Sequence, residues 1–228
     1  MNPLDWLFPP RCVVCQAHGA WLCPACVAQI HEHRLPQPCP HGATFMLCPR
    51  CLPGITHLMG MRVVGTYVAP LKTAVWALKF HGKRHVAVLL GQLLAETWQA
   101  PPLIAVDGIV TIPMAAQRQR QRGFNQSALL ADACAQALHV PCWPRILQRT
   151  RFAPPQVGLL APARHANVVG LFRCANRAMP RIHGKRILIV DDVLTTGATL
   201  DAAAHALMQA GAAQVWGLVL ARPQFHDR

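Results

Sequence analysis

Residues 187–220 constrain this chain more than any other stretch. Ile187 to Val190 is apolar throughout and β-branched apart from Leu188, the pattern of a strand buried on both faces of a parallel sheet. Asp191 and Asp192 stand at its carboxyl end. From Ala198 the pattern turns helical, with Leu200, Ala203, Ala204, Leu207 and Met208 on one face and Gly211 as the stop. Val215 to Leu220 reads as the next strand. Such a β-α-β unit commits the chain to a parallel α/β sheet, and ligands of open α/β sheets bind beyond the carboxyl ends of the strands. Asp191 through Thr199 are therefore expected at a ligand site.

The residue types in that turn specify a chemistry. Gly197 removes a Cβ so that backbone can approach a ligand closely. The amides of residues 195–199 open a helix whose amino terminus favours an anion, so Thr195, Thr196, Gly197, Ala198 and Thr199 form a cradle suited to a phosphate. The two carboxylates upstream only accept hydrogen bonds and would repel a phosphate, so they are expected to face a donor such as a ribose diol. They are also expected to stand exposed when the site is empty.

At these residues the chain resembles the phosphoribosyltransferases, whose fingerprint is a hydrophobic strand, two acids and a Thr-Thr-Gly-x-Thr loop. Arg122-Gly123-Phe124-Asn125-Gln126, Leu78-Lys79-Phe80-x-Gly82 and the amino-terminal cysteines narrow the likeness to the ComF family, over nearly the whole chain. The resemblance implies a type I phosphoribosyltransferase-like parallel sheet flanked by helices over 59–228, with a small zinc-ribbon domain over 1–58. It implies that Asp191 and Asp192 hold the ribose hydroxyls of phosphoribosyl pyrophosphate and that the Thr195–Thr199 loop holds the 5-phosphate. It assigns the pyrophosphate, with Mg²⁺, to the basic group Arg118, Arg120, Arg122 and Lys79, and a closing loop to Gln156, Arg164 and Asn167. Two functions follow from it: a phosphoribosyltransferase with an unidentified acceptor, or a non-catalytic sensor of the same ligand that handles single-stranded DNA with DNA-uptake proteins.

The cysteines point to a metal. Cys12-x-x-Cys15 and Cys23-x-x-Cys26 bring four thiolates within reach of one tetrahedral Zn²⁺, a closed structural geometry with no open position for catalysis. A second set is Cys39, His41, Cys48 and Cys51, where the ComF family usually shows two further C-x-x-C pairs. Cys39-Pro40-His41 departs from that spacing and leaves open whether a second ion is held. A segment so rich in Pro and Cys needs metal to order itself.

Charge is unevenly placed. The net charge is +13, and between Arg118 and Arg186 eleven Arg and one Lys face a single acid, Asp132. That stretch predicts a polyanionic ligand, whether pyrophosphate, nucleotide or nucleic acid, with Trp143, Phe152 and Phe172 as candidate stacking surfaces. Alternating Arg118, Arg120 and Arg122 would share one side of an extended loop and splay around a helix. No run of about 18 uninterrupted apolar residues exists to span a bilayer, and the first ten residues lack a signal-peptide pattern. A cytoplasmic protein with reduced thiols is expected.

The remaining elements follow from periodicity. A strand is expected around Val63–Val68, helices from Leu71 and over Val86–Trp98, a buried strand over Ile109–Pro113, a helix through Leu129–Leu138 and a strand within 141–149.

Overall fold

The computed structural model describes residues 9–34, 52, 54–150 and 170–223. Helix α1 (Pro24–Glu32) belongs to the cysteine module. There follow β1 (Gly60–Thr66), α2 (Leu71–Phe80), α3 (Val86–Trp98), β2 (Gly108–Thr111), α4 (Ala116–Arg122), α5 (Gln126–Leu138), β3 (Cys142–Trp143), β4 (Leu147–Arg149), β5 (Phe172–Cys174), α6 (Met179–Ile182), β6 (Arg186–Val193), α7 (Ala198–Gln209) and β7 (Gln214–Arg222). Five strands make one parallel sheet in the order β1-β7-β6-β2-β3, and β4 and β5 pair antiparallel apart from it.

Alternation along the central strands explains the layering, because successive side chains of a strand point to opposite faces. Leu188 and Val190 join one core with α2, α3 and α5, whereas Ile187 and Ile189 join a second core with α7. All four are fully buried, as a strand covered on both faces requires. The α3 and α5 backbones approach closely at Gly91, where a Cβ would lie 2.4 Å from that of Ala133.

The order of strands fixes the site. From β2 the chain passes through α5 to β3 on one side, and from β6 through α7 to β7 on the other. Neighbouring β2 and β6 therefore diverge, and the crevice at their carboxyl ends is the topological switch point where ligands of open α/β sheets bind. Both the 112–127 segment and the 191–199 turn emerge there.

The cysteine module packs on the α2–α3 face. Leu22, Cys23, Cys26 and Ile30 share a core with Leu71, Val75, Leu78 and Val86. Arg34 pairs with Glu96 at 2.7 Å, and Gly65 approaches the His33 carbonyl so closely that a Cβ would lie 2.9 Å from its oxygen. Among the described residues no helix is long and apolar enough to cross a membrane.

One buried charge ties the second layer down. Arg62 on β1 is 1% exposed. Its guanidinium donates to the carbonyls of Thr97 (3.0 Å), Trp98 (2.6 Å), Ala100 (2.5 Å) and Pro102 (2.7 Å), and it lies 5.3 Å above the Trp98 ring. The first two are carbonyls that the carboxyl end of α3 leaves without intrahelical partners, and the other two belong to the turn that follows it. Arg62→Met strands them and is expected to cost about 3 kcal/mol, read as a fall of roughly 6–12 °C in Tm for a chain of this length. An unchanged Tm would mean that water replaces the guanidinium there.

Candidate functional site

Strand β6 delivers the two acids to the switch point, but they do not stand exposed there. Asp191 is half-buried and Asp192 only 5% exposed. This corrects the expectation of solvated strand-end carboxylates, and the cause is the neighbouring helices. Asn125 caps α5, accepting from the Ser127 amide at 3.1 Å, while its Nδ2 donates to the Ile112 carbonyl at 2.8 Å. That seats Ser127, whose hydroxyl donates to Asp191 Oδ1 at 2.7 Å. From α2, Lys79 Nζ reaches Asp192 Oδ1 at 2.7 Å. The second oxygen, Asp192 Oδ2, is buried with no hydrogen-bond partner among the described residues.

Electrostatics at this pair follows from burial. Desolvation, then the charge of Asp192, pushes the Asp191 carboxyl up to about 7, against the pull of the Ser127 hydroxyl, the Asp192 amide and the Lys79 ammonium. The unsatisfied Asp192 Oδ2 is an acceptor that a hydroxyl or amine donor can fill.

The Thr195–Thr199 turn follows closely after the two acids. Gly197 adopts φ +79°, a left-handed conformation that side chains with a Cβ rarely take, and it caps α7. Thr196 Oγ1 accepts from the Ala198 amide at 3.4 Å. The first amides of an α-helix have no intrahelical acceptor, so Thr199 and Leu200 present N–H groups at the positive end of a helix of 12 residues, beside the Ala198 amide turned to Thr196. Thr195 and Thr199 are exposed, and Thr196 partly so.

The basic group divides. The Lys79 ammonium is committed to Asp192. Arg118, Arg120 and Arg122 sit on α4, so the stretch is a helix and not an extended loop; Arg118 and Arg122, four residues apart, share one face and Arg120 lies on another. Arg118 and Arg120 are exposed, while Arg122 donates to Gln126 Oε1 at 2.6 Å and lies 5.2 Å over the Phe80 ring. Gln156, Arg164 and Asn167 lie outside the described residues, as does Phe152. Phe172 is buried and so is no stacking platform, and Trp143 is partly buried, packed against Gly108.

The first cysteine set converges. Cys12 and Cys15 sit on a turn closed by the Cys12 amide donating to the Ala17 carbonyl at 2.8 Å, whereas Cys23 caps α1 and Cys26 lies in its first turn, where the helix dipole favours thiolate. The four sulfurs lie within 4.8 Å of one another, with Cys12–Cys26 at 3.8 Å and Cys15–Cys23 at 3.5 Å. A tetrahedral shell of metal–sulfur bonds of about 2.3 Å has edges of about 3.8 Å, so the donor set fits a metal. Burial raises the Cys12 thiol, but the amides of Cys15, Cys23 and Val14 outweigh it and bring it down to about 6. Cys26 is pushed well up, by desolvation and then by the neighbouring thiols. Four thiols this close ionise together only around a cation. Cys39, His41, Cys48 and Cys51 lie outside the described residues.

Residues 125–224 match the model of the phosphoribosyl transferase domain. Across 224 residues the chain is 33% identical to the DNA utilization protein YhgH of Escherichia coli O157:H7, covering 92% of this chain and 96% of that one. It is 30% identical over 223 residues to competence protein F of Haemophilus influenzae, covering 92% and 97%. The chain belongs to the ComF family. A further ComF relative, competence protein ComFC of Bacillus subtilis, is 28% identical over 162 residues, covering 71% and 63%. Among solved structures, glutamine phosphoribosylpyrophosphate amidotransferase from B. subtilis matches 57% of this chain and 25% of its own at 21% identity with a TM-score of 0.39, a likeness too distant to bear on the site.

One residue that shapes this site escapes a reading by motif: Ser127 is signalled only by following Asn125 at a helix start, and nothing local links it to Asp191. Outside the crevice, Trp76 and Phe80 are 47% and 59% exposed, with ring centroids 4.9 Å apart. Their i, i+4 spacing opposite Leu71, Val75 and Leu78 was the available signal.

Proposed function

We propose that the chain binds phosphoribosyl pyrophosphate at the β2/β6 switch point and transfers its phosphoribosyl group. The observation that carries this is one crevice in which paired carboxylates, one of them with a buried, unsatisfied oxygen, stand just before a helix start opened by a left-handed glycine. In this reading Asp191 and Asp192 accept from the ribose hydroxyls, and the amides and hydroxyls of Thr195–Thr199 hold the 5-phosphate. A nucleophilic nitrogen of the acceptor, a base or ammonia, forms its bond to C1 as the C1–oxygen bond to pyrophosphate breaks; pyrophosphate leaves with the electron pair and the acceptor's proton passes to solvent. Mg²⁺ held by the pyrophosphate oxygens would neutralise the leaving charge, and no residue of the chain need act as general base. Positioning and electrostatics carry the acceleration. The cysteine cluster is read as a structural Zn²⁺ site, whose four protein donors leave no position for a reacting water.

A pyrophosphate-release screen across nucleobases and ammonia, run beside calorimetry with phosphoribosyl pyrophosphate, tests the proposal. Saturable binding with acceptor-dependent release is expected. Binding without release from any acceptor would replace transfer by sensing, and no binding would remove the site assignment.

The sensor reading has its own support. The exposed Trp76 and Phe80 rings adjoin Arg122, and relatives carry names that speak of DNA utilization and competence. In it, aromatic faces stack bases while α4 follows the phosphates of single-stranded DNA. Single-stranded binding falls with salt by about 0.7 in log–log slope per phosphate neutralised. Replacing Arg118, Arg120 and Arg122 by Ala is therefore expected to flatten the slope by up to about 2, whereas Trp76→Ala should weaken binding with the slope unchanged. A wild-type slope in the triple variant would confine α4 to the small ligand or to neither.

A further inference from the structure

Asp201, in the first turn of α7, binds a segment far from it in sequence. Its Oδ1 accepts from the amides of Thr56 at 2.9 Å and His57 at 2.7 Å; its Oδ2 lies 2.9 Å from His57 Nδ1 and accepts from the Thr56 hydroxyl at 3.4 Å. The carboxylate is 8% exposed, and the His57 ring lies 4.5 Å from that of His205, one turn further along the same helix. These contacts seat residues 54–58 across the start of α7 before the chain enters β1, whose pairing begins early with the Met59 amide donating to the Val215 carbonyl at 2.9 Å. Four hydrogen bonds to one buried carboxylate are far more than a solvated loop needs.

The segment also touches the candidate phosphate turn itself. Ile55 is 4% exposed, and its Cδ1 lies 2.4 Å from where a Cβ on Gly197 would stand. Gly197 is thus demanded twice, by its left-handed φ and by the Ile55 side chain packed over it. Leu52 and Leu58 anchor the same segment in the α7 core.

We propose that Asp201 is a positioning residue which, through Thr56, His57 and Ile55, clamps the Gly197 turn in the conformation that receives a phosphate. The inference rests on the reading of Thr195–Thr199 as a phosphate cradle. Asp201 touches no ligand in it. Its carboxylate holds the strap, the strap puts Ile55 on Gly197, and the left-handed turn then keeps the helix-opening amides aimed into the crevice. Without the strap, the turn pays its own ordering entropy when a phosphate arrives.

The test uses the whole chain, with ribose 5-phosphate and inorganic pyrophosphate as separate calorimetric probes. Asp201→Ala and Ile55→Ala are each expected to weaken ribose 5-phosphate at least tenfold while leaving pyrophosphate affinity within twofold. Asp201→Asn keeps an oxygen for the two amides and offers an N–H to His57 Nδ1, so it is expected to restore ribose 5-phosphate binding to within threefold of wild type. A purely structural role would lower the binding-competent fraction at unchanged Kd; that result, or wild-type affinity in both alanine variants, overturns the clamp. Should Asp201→Ala fail to fold, Ile55→Ala and Ile55→Val decide alone. A wild-type chain that binds pyrophosphate and not ribose 5-phosphate overturns the cradle reading and the clamp with it, whereas failure confined to the variants overturns only the clamp.

Discussion

Cys12→Ser is expected to release one zinc ion per chain and to unfold the module around α1. Cys12 is fully buried among the other three sulfurs, and the Cys23 amide points at its sulfur from 3.4 Å, so an uncharged hydroxyl there removes a ligand and the centre of the shell. Structural zinc contributes on the order of 10–16 kcal/mol in isolated finger peptides at neutral pH, more than this small module can replace. The damage extends further, because Cys23, Cys26 and Ile30 share a core with α2 and α3; removing them uncovers Leu71, Val75 and Leu78. The α/β domain is expected to survive with a lowered Tm. Metal analysis of protein purified without chelator checks the premise: at least one equivalent of zinc in the wild type, one fewer in the variant. A wild type without zinc contradicts the metal reading.

Asp191→Asn combined with Asp192→Asn is expected to reduce affinity for phosphoribosyl pyrophosphate at least a hundredfold, since a hydrogen bond to a charged acceptor contributes about 1.5–3 kcal/mol and two would be lost. The single variants separate in stability. Asp191 ionises near its ordinary 3.8 when unfolded and near 7 when folded. Between those values the unfolded chain sheds its proton first, so stability falls as pH rises from about 4 to 7 and the deficit is constant above. Asp191→Asn removes that deficit; its Tm should match wild type near pH 4 and exceed it at pH 8. Asp192→Asn should lower Tm, because it leaves the Lys79 ammonium, 17% exposed, facing a neutral amide. Repulsion between the two acids alone predicts a gain at both positions, and the Lys79 pair reverses it at one. Ligand affinity of the wild type should strengthen as pH passes through about 7, where Asp191 becomes a full acceptor.

The elements were legible where burial imposes a period. Val86–Trp98 as a helix, Ile187–Val190 as a strand covered on both faces, and the helix from Ala198 all follow from apolar spacing, and the acidic turn at the end of β6 follows with them. Helix α4 carries no buried residue, so nothing periodic marks Ala116–Arg122 and its alternating arginines mimic an extended loop. Strands β3, β4 and β5 have two or three residues, too short to display alternation. The contacts that finish the site join distant positions: Ser127 with Asp191 across 64 residues, Thr56 with Asp201 across 145. Local propensity holds no record of such pairings, because Ser127, Thr56 and Asp201 each read alone as an ordinary polar residue at a helix start or in a turn. Lys79 illustrates the difference, since the resemblance grouped it with the arginines while the helix that carries it brings its ammonium to Asp192.

Whether the β6–α7 turn receives phosphoribosyl pyrophosphate is decided by a crystal structure of the chain with that ligand and Mg²⁺. The expected result places the 5-phosphate on the amides of residues 195–199 and the ribose hydroxyls on Asp191 and Asp192, with the Asp192 Oδ2 acceptor satisfied. Ligand bound elsewhere, or ribose hydroxyls turned away from both carboxylates in an occupied crevice, would contradict it.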